Sequence, residues 1–256
     1  MIFNITSNKN EKFKYFKSLK QKKYRTKEYS VEGKKSVLEA LYSPKKVTAV
    51  IMSESFFKED SVKISDEIPC YILPDFLIAQ LSSTETPSGI VCTIEIEKET
   101  AFIPDLEKAY IYCDQISDPG NLGTIIRTAD AAGFGGVMLS KGCVDLYNPK
   151  TVRSSMGSFF RMKITEDVGV EDLKKFQEKG FQILCGTLTE NSVDYTKPDM
   201  KKPTIIVIGN ESNGVSDEVI NISDECIKIP IVGGAESLNA AIAAAVIMYE
   251  VLKQRS

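Results

Sequence analysis

The 256-residue sequence contains no histidine. This absence excludes a Ser-His-Asp triad, a Cys-His dyad, histidine-ligated zinc and acid–base catalysis by an imidazole. Any catalysis by this chain must therefore use carboxylates, Tyr, Cys, Ser, Lys, Arg or a bound cofactor.

Cysteine pairs and long apolar segments are also lacking. The cysteines stand singly, without a C-x-x-C pair, which argues against a disulfide scaffold and against a zinc site; we expect no bound metal. Most of them lie in apolar, strand-like runs, where free thiols are usual, and this favours a reducing, cytoplasmic location. Met1–Asn10 has no apolar signal core, and the longest apolar run, Ala240–Tyr249, is too short to span a bilayer. We therefore expect no membrane partner.

The charge is distributed unevenly along the chain. The net charge is -3, yet residues 1–46 hold 13 Lys and Arg against 4 Glu, a balance of +9, and the remainder has a balance of -12. A basic arm on an acidic body indicates a polyanion partner, although a solvated, lysine-rich helix face would give the same count. Residues 9–27 carry much of this charge and have apolar residues at helical spacing, which predicts a basic surface helix.

Short β-branched runs alternate with helical stretches along the whole chain, which predicts an α/β fold. We predict a small α/β domain over residues 1–97, a charged linker over 98–108 and a second domain over 109–256. The alternation is stricter in the second domain, and its strands are almost continuously apolar, so we expect a parallel sheet covered on both faces. Ligands bind such sheets at the loops beyond the carboxyl ends of the strands.

Three loops of the second domain carry unusual residues. In the first, Asn121 is placed to cap a helix, and Arg127 follows within that helix. In the second, Gly209 and Gly214 permit close backbone approach to a ligand, and Glu211 follows a buried strand, a costly place for an unbonded carboxylate. Each loop alone is a weak signal, because a turn and an exposed helical arginine explain it equally well.

The third loop contains Gly233 and Gly234 and leads into an alanine-rich helix that Ser237 could cap. The standard nucleotide motifs are absent: no G-x-G-x-x-G follows a strand, and there is no G-x-x-x-x-G-K-[ST]. A nucleotide-like ligand must therefore be bound in another way.

Taken together and in this order, the three loops resemble the motifs of the SpoU family of RNA 2′-O-ribose methyltransferases, which belongs to the knotted SPOUT superfamily. The first motif, Asn-x-Gly-x-x-x-Arg, runs from Asn121 to Arg127, and the second, Gly-x-Glu-x-x-Gly, runs from Gly209 to Gly214. The third, Pro-x-x-Gly-x-x-x-Ser-Leu-Asn, runs from Pro230 to Asn239. The combination covers about 150 residues and is highly specific.

The first domain resembles the substrate-binding domain found upstream in this family, which has the small α/β fold of certain RNA-binding ribosomal proteins. The matching stretches are Lys23–Gly33 and Thr84–Cys92, and Asn148–Gly157 is typical of the rRNA-directed members. The resemblance therefore implies an RNA substrate, ribosomal RNA above all. The residues expected to bind RNA are Lys22, Lys23, Arg25, Lys27 and Arg153. Arg153 would contact a phosphate of the RNA, from its own subunit or from a partner subunit.

The resemblance further implies a deep trefoil knot, a homodimer and S-adenosylmethionine as the cofactor. The last helix, near Ser237–Lys253, would be threaded through the preceding loop. The residues expected around the cofactor are Thr187, Gly209, Gly214, Ile229, Gly233 and Leu238.

The implied reaction moves a methyl group from a sulfonium to a ribose 2′-hydroxyl. The family mechanism uses Arg127 as the base, but a guanidinium holds its proton too tightly. We expect instead that Arg127 clamps the adjacent phosphate and stabilises the developing alkoxide, and that a phosphate oxygen helps to accept the proton. Asn121 and Asn239 would orient the ribose or hold the loops, and Ser237 would bond to Arg127 or to substrate. Glu211 would fix the loops by accepting backbone N–H bonds, or orient Arg127.

Other interpretations remain open at this point. A tRNA 2′-O-methyltransferase is one alternative. A knotted methyltransferase of a base nitrogen is another, but the Asn-x-Gly-x-x-x-Arg motif argues against it. A non-catalytic RNA-binding ribosome-assembly factor with a decayed site belongs to a different class. A dinucleotide-dependent oxidoreductase lacks its fingerprint.

Overall fold

The computed structural model describes residues 1–60, 62–97 and 104–256. The chain forms two compact units: Met1–Lys98 with Tyr147–Phe160, and Glu99–Leu146 with Arg161–Ser256. Of the predicted linker 98–108, residues 98–103 lie outside the described residues.

Strands and helices alternate along the described parts of the chain. The strands are β1 (Ile2–Asn4), β2 (Glu28–Glu32), β3 (Val47–Ser53), β4 (Cys70–Leu73), β5 (Ile90–Glu95), β6 (Ala109–Cys113), β7 (Gly136–Leu139), β8 (Ile164–Thr165), β9 (Gln182–Gly186), β10 (Val193–Asp194), β11 (Thr204–Ile208) and β12 (Glu225–Lys228). The helices are α1 (Glu11–Ser18), α2 (Lys34–Tyr42), α3 (Glu54–Glu59), α4 (Asp75–Leu81), α5 (Pro119–Ala131), α6 (Pro149–Ser154), α7 (Val170–Glu178), α8 (Asp217–Ile222) and α9 (Ala240–Arg255). Short 3-10 turns cover Lys22–Tyr24 and Ser158–Phe160.

The first unit contains a mixed sheet with the strand order β1-β4-β3-β5-β2. β5 runs antiparallel to both β2 and β3, whereas β1, β3 and β4 are parallel to one another. One face packs against α1 and α4 through a core that includes Phe13, Ile51 and Leu77. This order places β2 at one edge of the sheet.

The second unit contains a parallel sheet with the strand order β10-β12-β9-β11-β6-β7-β8. Alternate residues of β11 pack with α7 and α8 on one face, and α9 packs against β11 on the other. Every residue of β6 and of β11 is buried. The predicted α/β fold with a parallel sheet covered on both faces is therefore confirmed.

Two helix starts differ from the prediction. α5 begins at Pro119 because Asp118 is its N-cap, and Asp118 Oδ1 accepts from Asn121 N–H at 2.8 Å. Proline is favoured at the first helical position, so Asn121 lies inside the helix and is not its cap. α9 begins at Ala240, where Asn239 Oδ1 accepts from Ala241 N–H and Ile242 N–H at 2.9 and 3.3 Å. Ser237 therefore does not cap this helix.

The predicted basic helix over residues 9–27 is also shorter than expected. α1 ends at Ser18, and a 3-10 turn follows at Lys22–Tyr24. The guanidinium of Arg25 returns to the end of this helix, donating from Nη1 to Leu19 O at 3.0 Å and to Lys20 O at 3.2 Å. These bonds satisfy carbonyls that have no partner within the helix.

The segment Tyr147–Phe160 belongs to the first unit, although the prediction assigns it to the second domain. The ring of Tyr29, which is buried, lies 4.7 Å from the ring of Tyr147 and 5.7 Å from that of Phe159. Such aromatic pairs stabilise beyond the area they bury. α6, which carries Arg153, is thus part of the same unit as β2.

Within the described ranges, no helix is long and apolar enough to cross a membrane.

Candidate active site

Two of the unusual loops leave the sheet of the second unit at the same edge. β6 and β11 are adjacent and parallel, with Cys113 opposite Ile208 at their carboxyl ends. β9 lies on the other side of β11 and ends in register at Gly186. The loop after β6 leads into α5, and the loop after β11 carries Glu211.

The loop after β11 is closed on itself by its own backbone. Asn210 N–H donates to Gly214 O at 2.8 Å, and Gly214 N–H donates to Asn210 O at 2.9 Å. A Cβ added at Gly209 would lie 2.2 Å from the carbonyl carbon of Gly214, and Gly214 itself has a φ of 72°. Both predicted glycines are therefore required, one for space and the other for its backbone conformation.

Glu211 ties this loop to the loop after β6. Its carboxylate accepts from the Ser117 N–H at 3.0 Å, the Ser117 hydroxyl at 2.7 Å, the Asp118 N–H at 3.1 Å and the Asn121 side-chain amide at 2.8 Å. Burial raises the pKa of this carboxyl, but the bonds from Asn121 and Ser117 outweigh burial and lower the pKa to about 2. The carboxylate is ionised at neutral pH, with its acceptor sites taken up by the neighbouring loop.

Asn121 joins Glu211 to the third motif. Its amide nitrogen donates to Glu211, and its Oδ1 accepts from Asn239 Nδ2 at 3.0 Å. Glu211, Asn121 and Asn239 therefore form a continuous hydrogen-bonded chain, which we call the loop link. The loop link brings residues from all three predicted motifs into direct contact.

A cavity of about 360 Å³ lies between the second and third motifs. Its volume and its mixture of apolar side chains with a few polar groups are typical of small-molecule sites. Of the residues predicted to surround the cofactor, those that line the cavity are Thr187, Gly209, Gly214, Ile229 and Leu238. Gly233 is exposed and does not line it.

The walls of this cavity suit a ligand that contains a purine ring. Ile208, Ile247 and Leu238 offer apolar surface for a purine ring. The loop of residues 209–214 lines the same cavity, and its shape is fixed by the bonds between Asn210 and Gly214. Within the described ranges, no cluster of carboxylates and thiols is arranged to hold a metal ion.

Arg127 and Ser237 are both exposed, and Arg127 is not among the residues that line the cavity. Arg127 lies on α5, and no described residue forms a hydrogen bond or an ion pair with its guanidinium. Ser237 is exposed and lines the cavity. An arginine without a protein partner at this position is available to an anionic substrate.

The basic residues predicted to bind RNA differ in their surroundings. Lys22, Lys23 and Lys27 are exposed, and the Lys23 ammonium lies 4.8 Å from the centre of the Tyr24 ring. Arg25 is half-buried and donates to backbone carbonyls, as described above. Arg153 is exposed on α6, and its Nη1 donates to Ser83 Oγ at 3.5 Å.

The sequence reasoning missed residues that hold the loops in place. Asp114 is buried at the end of β6, and its Oδ2 accepts from Ser216 N–H at 2.7 Å, just after the second motif. Asn210 Nδ2 donates to Gln115 O at 2.8 Å. The same signal that singled out Glu211, a polar side chain directly after a buried strand, applies to both residues.

Two family models match this chain. The sequence model of the SpoU rRNA Methylase family matches residues 108–249, and that of the MRM3-like substrate binding domain matches residues 10–92. The 23S rRNA (guanosine(2553)-2′-O)-methyltransferase RlmP of Bacillus subtilis is 34% identical, over 96% of this chain and 97% of the relative.

Two solved structures are similar along nearly the whole chain. The AdoMet-bound rRNA methyltransferase from Sinorhizobium meliloti superposes with a TM-score of 0.88, 30% identity and coverage of 98% of both chains. The SpoU methyltransferase AviRb from Streptomyces viridochromogenes, in complex with AdoMet, superposes with a TM-score of 0.84, 27% identity and coverage of 96% of this chain and 98% of AviRb. The resemblance predicted from the three motifs is thus confirmed, and the chain belongs to the SpoU rRNA Methylase family.

Proposed function

We propose that this protein transfers the methyl group of S-adenosylmethionine to a ribose 2′-hydroxyl of RNA, with ribosomal RNA as the substrate. The observation that carries the proposal is the loop link, because Glu211, Asn121 and Asn239 join the three motifs beside a cavity that suits the cofactor. The similarity to an rRNA 2′-O-methyltransferase along 96% of the chain supports the choice of substrate.

Thr187, Gly209, Gly214, Ile229 and Leu238 would hold the cofactor, since all of them line the cavity. When bound, S-adenosylmethionine supplies an electrophilic methyl group on a sulfonium leaving group. The remaining task of the protein is to align the ribose hydroxyl and to assist the loss of its proton.

Arg127 is the residue that we assign to the reacting hydroxyl. Because a guanidinium keeps its proton, Arg127 would act as a donor: it would hold the adjacent phosphate and stabilise the negative charge that develops on the 2′-oxygen. A phosphate oxygen of the RNA would help to accept the proton. The lack of a protein partner for Arg127 among the described residues supports this role.

Glu211 would be structural in this scheme. Three of its four hydrogen bonds come from the loop after β6 and the fourth from Asn121 in the first turn of α5, and two of the four donors are backbone N–H groups. Asn121 and Asn239 would keep the three loops in register, and Ser237 would bond to the substrate or to Arg127.

RNA would be held by the exposed basic residues of the first unit. Lys22, Lys23 and Lys27 would provide a salt-dependent attraction, and Arg153 would contact a phosphate. Because the 2′-hydroxyl must be reached, the target would be an unpaired or splayed nucleotide. The cysteines of the described residues are all free, which supports a cytoplasmic location.

We also propose that the protein is a homodimer formed through α9. This helix exposes Ile242, Tyr249 and Leu252, with exposed fractions of 52%, 51% and 37%. Spacings of seven and ten residues place these apolar side chains along one side of the helix. Ile242→Glu should give a monomer in sedimentation analysis, and a variant that remains dimeric would contradict this interface.

The deep trefoil knot stays a prediction from the family. It is supported by the position of α9, which follows the loop lining the cavity and packs against α5 and β11.

The function is tested by incubating the protein with unmodified 23S rRNA and labelled S-adenosylmethionine, and by locating the methyl group by mass spectrometry. We expect a ribose 2′-O-methyl group; a methyl group on a base, or none, would contradict the proposal.

Arg127→Ala should lower kcat about 100- to 1,000-fold. Arg127→Lys should recover little of this activity, because it cannot form a bidentate contact. Lys179→Gln, an exposed position at the end of α7, serves as the charge-matched control.

A further inference from the structure

The loop after α4 is held by one side chain of each charge. The Glu32 carboxylate accepts from the Ser83 N–H at 2.8 Å, the Ser83 hydroxyl at 3.0 Å, the Thr84 hydroxyl at 3.1 Å and the Ser82 hydroxyl. The Lys20 ammonium, just beyond the end of α1, donates to Ser82 O at 2.6 Å. Residues 82–84, which we call the clasped loop, are thus fixed by groups distant in sequence.

Arg153 is attached to the clasped loop through Ser83. The Ser83 hydroxyl donates to Glu32 and accepts from Arg153 Nη1 at 3.5 Å. Among the described residues, Ser83 is the one hydrogen-bond partner of this guanidinium. Glu32, Ser83 and Arg153 also line one small cavity between β2 and α6. The three side chains therefore form a short chain from carboxylate to hydroxyl to guanidinium.

The series of hydrogen bonds from Glu32 through Ser83 to Arg153 requires a carboxylate at position 32. An ionised carboxylate only accepts hydrogen bonds, so it forces the Ser83 hydroxyl to donate and leaves the hydroxyl lone pairs to Arg153. A restrained arginine loses less conformational freedom when it binds a phosphate, which raises its affinity. A glutamine at position 32 would present N–H groups to at least one of these donors and would release the loop.

We propose that Glu32 is a positioning residue for RNA binding, and that it acts through Ser83 on Arg153. The proposal rests on the proposed function, in which Arg153 contacts a phosphate of the RNA. The expected effect of removing the Glu32 charge is opposite to the effect that charge repulsion alone would give. Removing a negative charge from an RNA-binding surface should strengthen binding, whereas removing this carboxylate should weaken it.

The test measures the Kd for unmodified 23S rRNA at fixed salt, and the KM and kcat of methylation. Glu32→Gln should weaken binding about tenfold and raise KM equally, with kcat unchanged. Glu85→Gln alters a neighbouring exposed carboxylate that has no hydrogen-bond partner among the described residues; it removes the same charge and should leave binding unchanged or slightly tighter. The affinity for S-adenosylmethionine, measured by calorimetry, should be unchanged in both variants.

A double-mutant cycle tests whether Glu32 acts through Arg153. Arg153→Ala should also weaken binding about tenfold, and the Glu32→Gln/Arg153→Ala double variant should bind no more weakly than Arg153→Ala alone. Ser83→Ala, which removes the hydroxyl but keeps the Ser83 N–H bond to Glu32, should reproduce the loss even if Glu32→Gln folds poorly.

The inference is overturned if Ser83→Ala or a folded Glu32→Gln variant binds RNA as tightly as the unaltered protein, or if the losses multiply in the double variant. If the unaltered protein binds rRNA but transfers no methyl group to ribose, the proposed function fails while the binding measurements still decide the role of Glu32. If it binds no RNA, both fail.

Discussion

Glu32 in the first unit and Glu211 in the second each accept four hydrogen bonds from a segment distant in sequence, but the donors differ. Three of the donors to Glu32 are hydroxyl groups, whereas two of the donors to Glu211 are backbone N–H groups and one is a side-chain amide. A hydroxyl can rotate towards water, but a backbone N–H cannot turn without moving the chain. The bonds of Glu211 therefore fix the geometry of the loops beside the cofactor cavity, whereas the bonds of Glu32 to the clasped loop support an RNA contact.

The neighbouring glycines sharpen this comparison and give the largest expected effect. A Cβ at Gly209 would lie 2.2 Å from Gly214, whereas one at Gly33, which has a φ of 104°, would meet nothing within 4 Å. Gly209→Ala should lower the free energy of unfolding by about 3 kcal/mol and abolish binding of S-adenosylmethionine. Gly33→Ala should cost about 1 kcal/mol from backbone strain and leave cofactor binding intact. Denaturant unfolding and calorimetry measure both quantities, and equal effects of the two variants would contradict the contrast.

The second prediction removes the charge of Glu211 while keeping its shape. Glu211→Gln replaces an acceptor by a donor that faces other donors, so we expect the free energy of unfolding to fall by about 2 kcal/mol. Activity should fall about 100-fold because Asn121 and Asn239 lose their common anchor. Glu218→Gln, an exposed carboxylate on α8, is the matched control and should behave as the unaltered protein. Normal activity in Glu211→Gln would show that the loop link is dispensable.

The pH dependence of stability provides a third and smaller test. The folded-state pKa of Glu211, about 2, lies below its ordinary value of 4.5, so the stabilisation is complete above pH 4.5 and is lost as the pH falls towards 2. Because the side chain is exposed, we expect this contribution to be only about 1 to 2 kcal/mol. The difference in unfolding free energy between the unaltered protein and Glu211→Gln should shrink across that window. A difference independent of pH would contradict the assigned cause.

The sequence predicted those features that depend on local pattern. Apolar, β-branched runs were sufficient for the parallel sheet, and the three motifs named Asn121, Glu211 and Asn239, although their hydrogen bonds to one another depend on the strand order of the folded sheet. The start of α5 was predictable as well, since Asp118 precedes a proline. The position of Tyr147–Phe160 was not, because it depends on packing against Tyr29 more than a hundred residues earlier. The four bonds of Glu32 likewise depend on a loop some fifty residues away.

The smallest expected effect concerns the basic residues of the first unit. Arg25 donates to the carbonyls of Leu19 and Lys20, whereas Lys23 is exposed. Arg25→Ala should therefore lower the free energy of unfolding by about 1 kcal/mol, with little change in the salt dependence of RNA binding. Lys23→Ala should leave stability within about 0.5 kcal/mol and reduce the slope of log Kd against log salt by about 0.7, the value for one lost phosphate contact. If Arg25→Ala also lowers that slope while stability is unchanged, then its guanidinium leaves the carbonyls to bind RNA, and the first unit uses this arginine as the second unit uses Arg127.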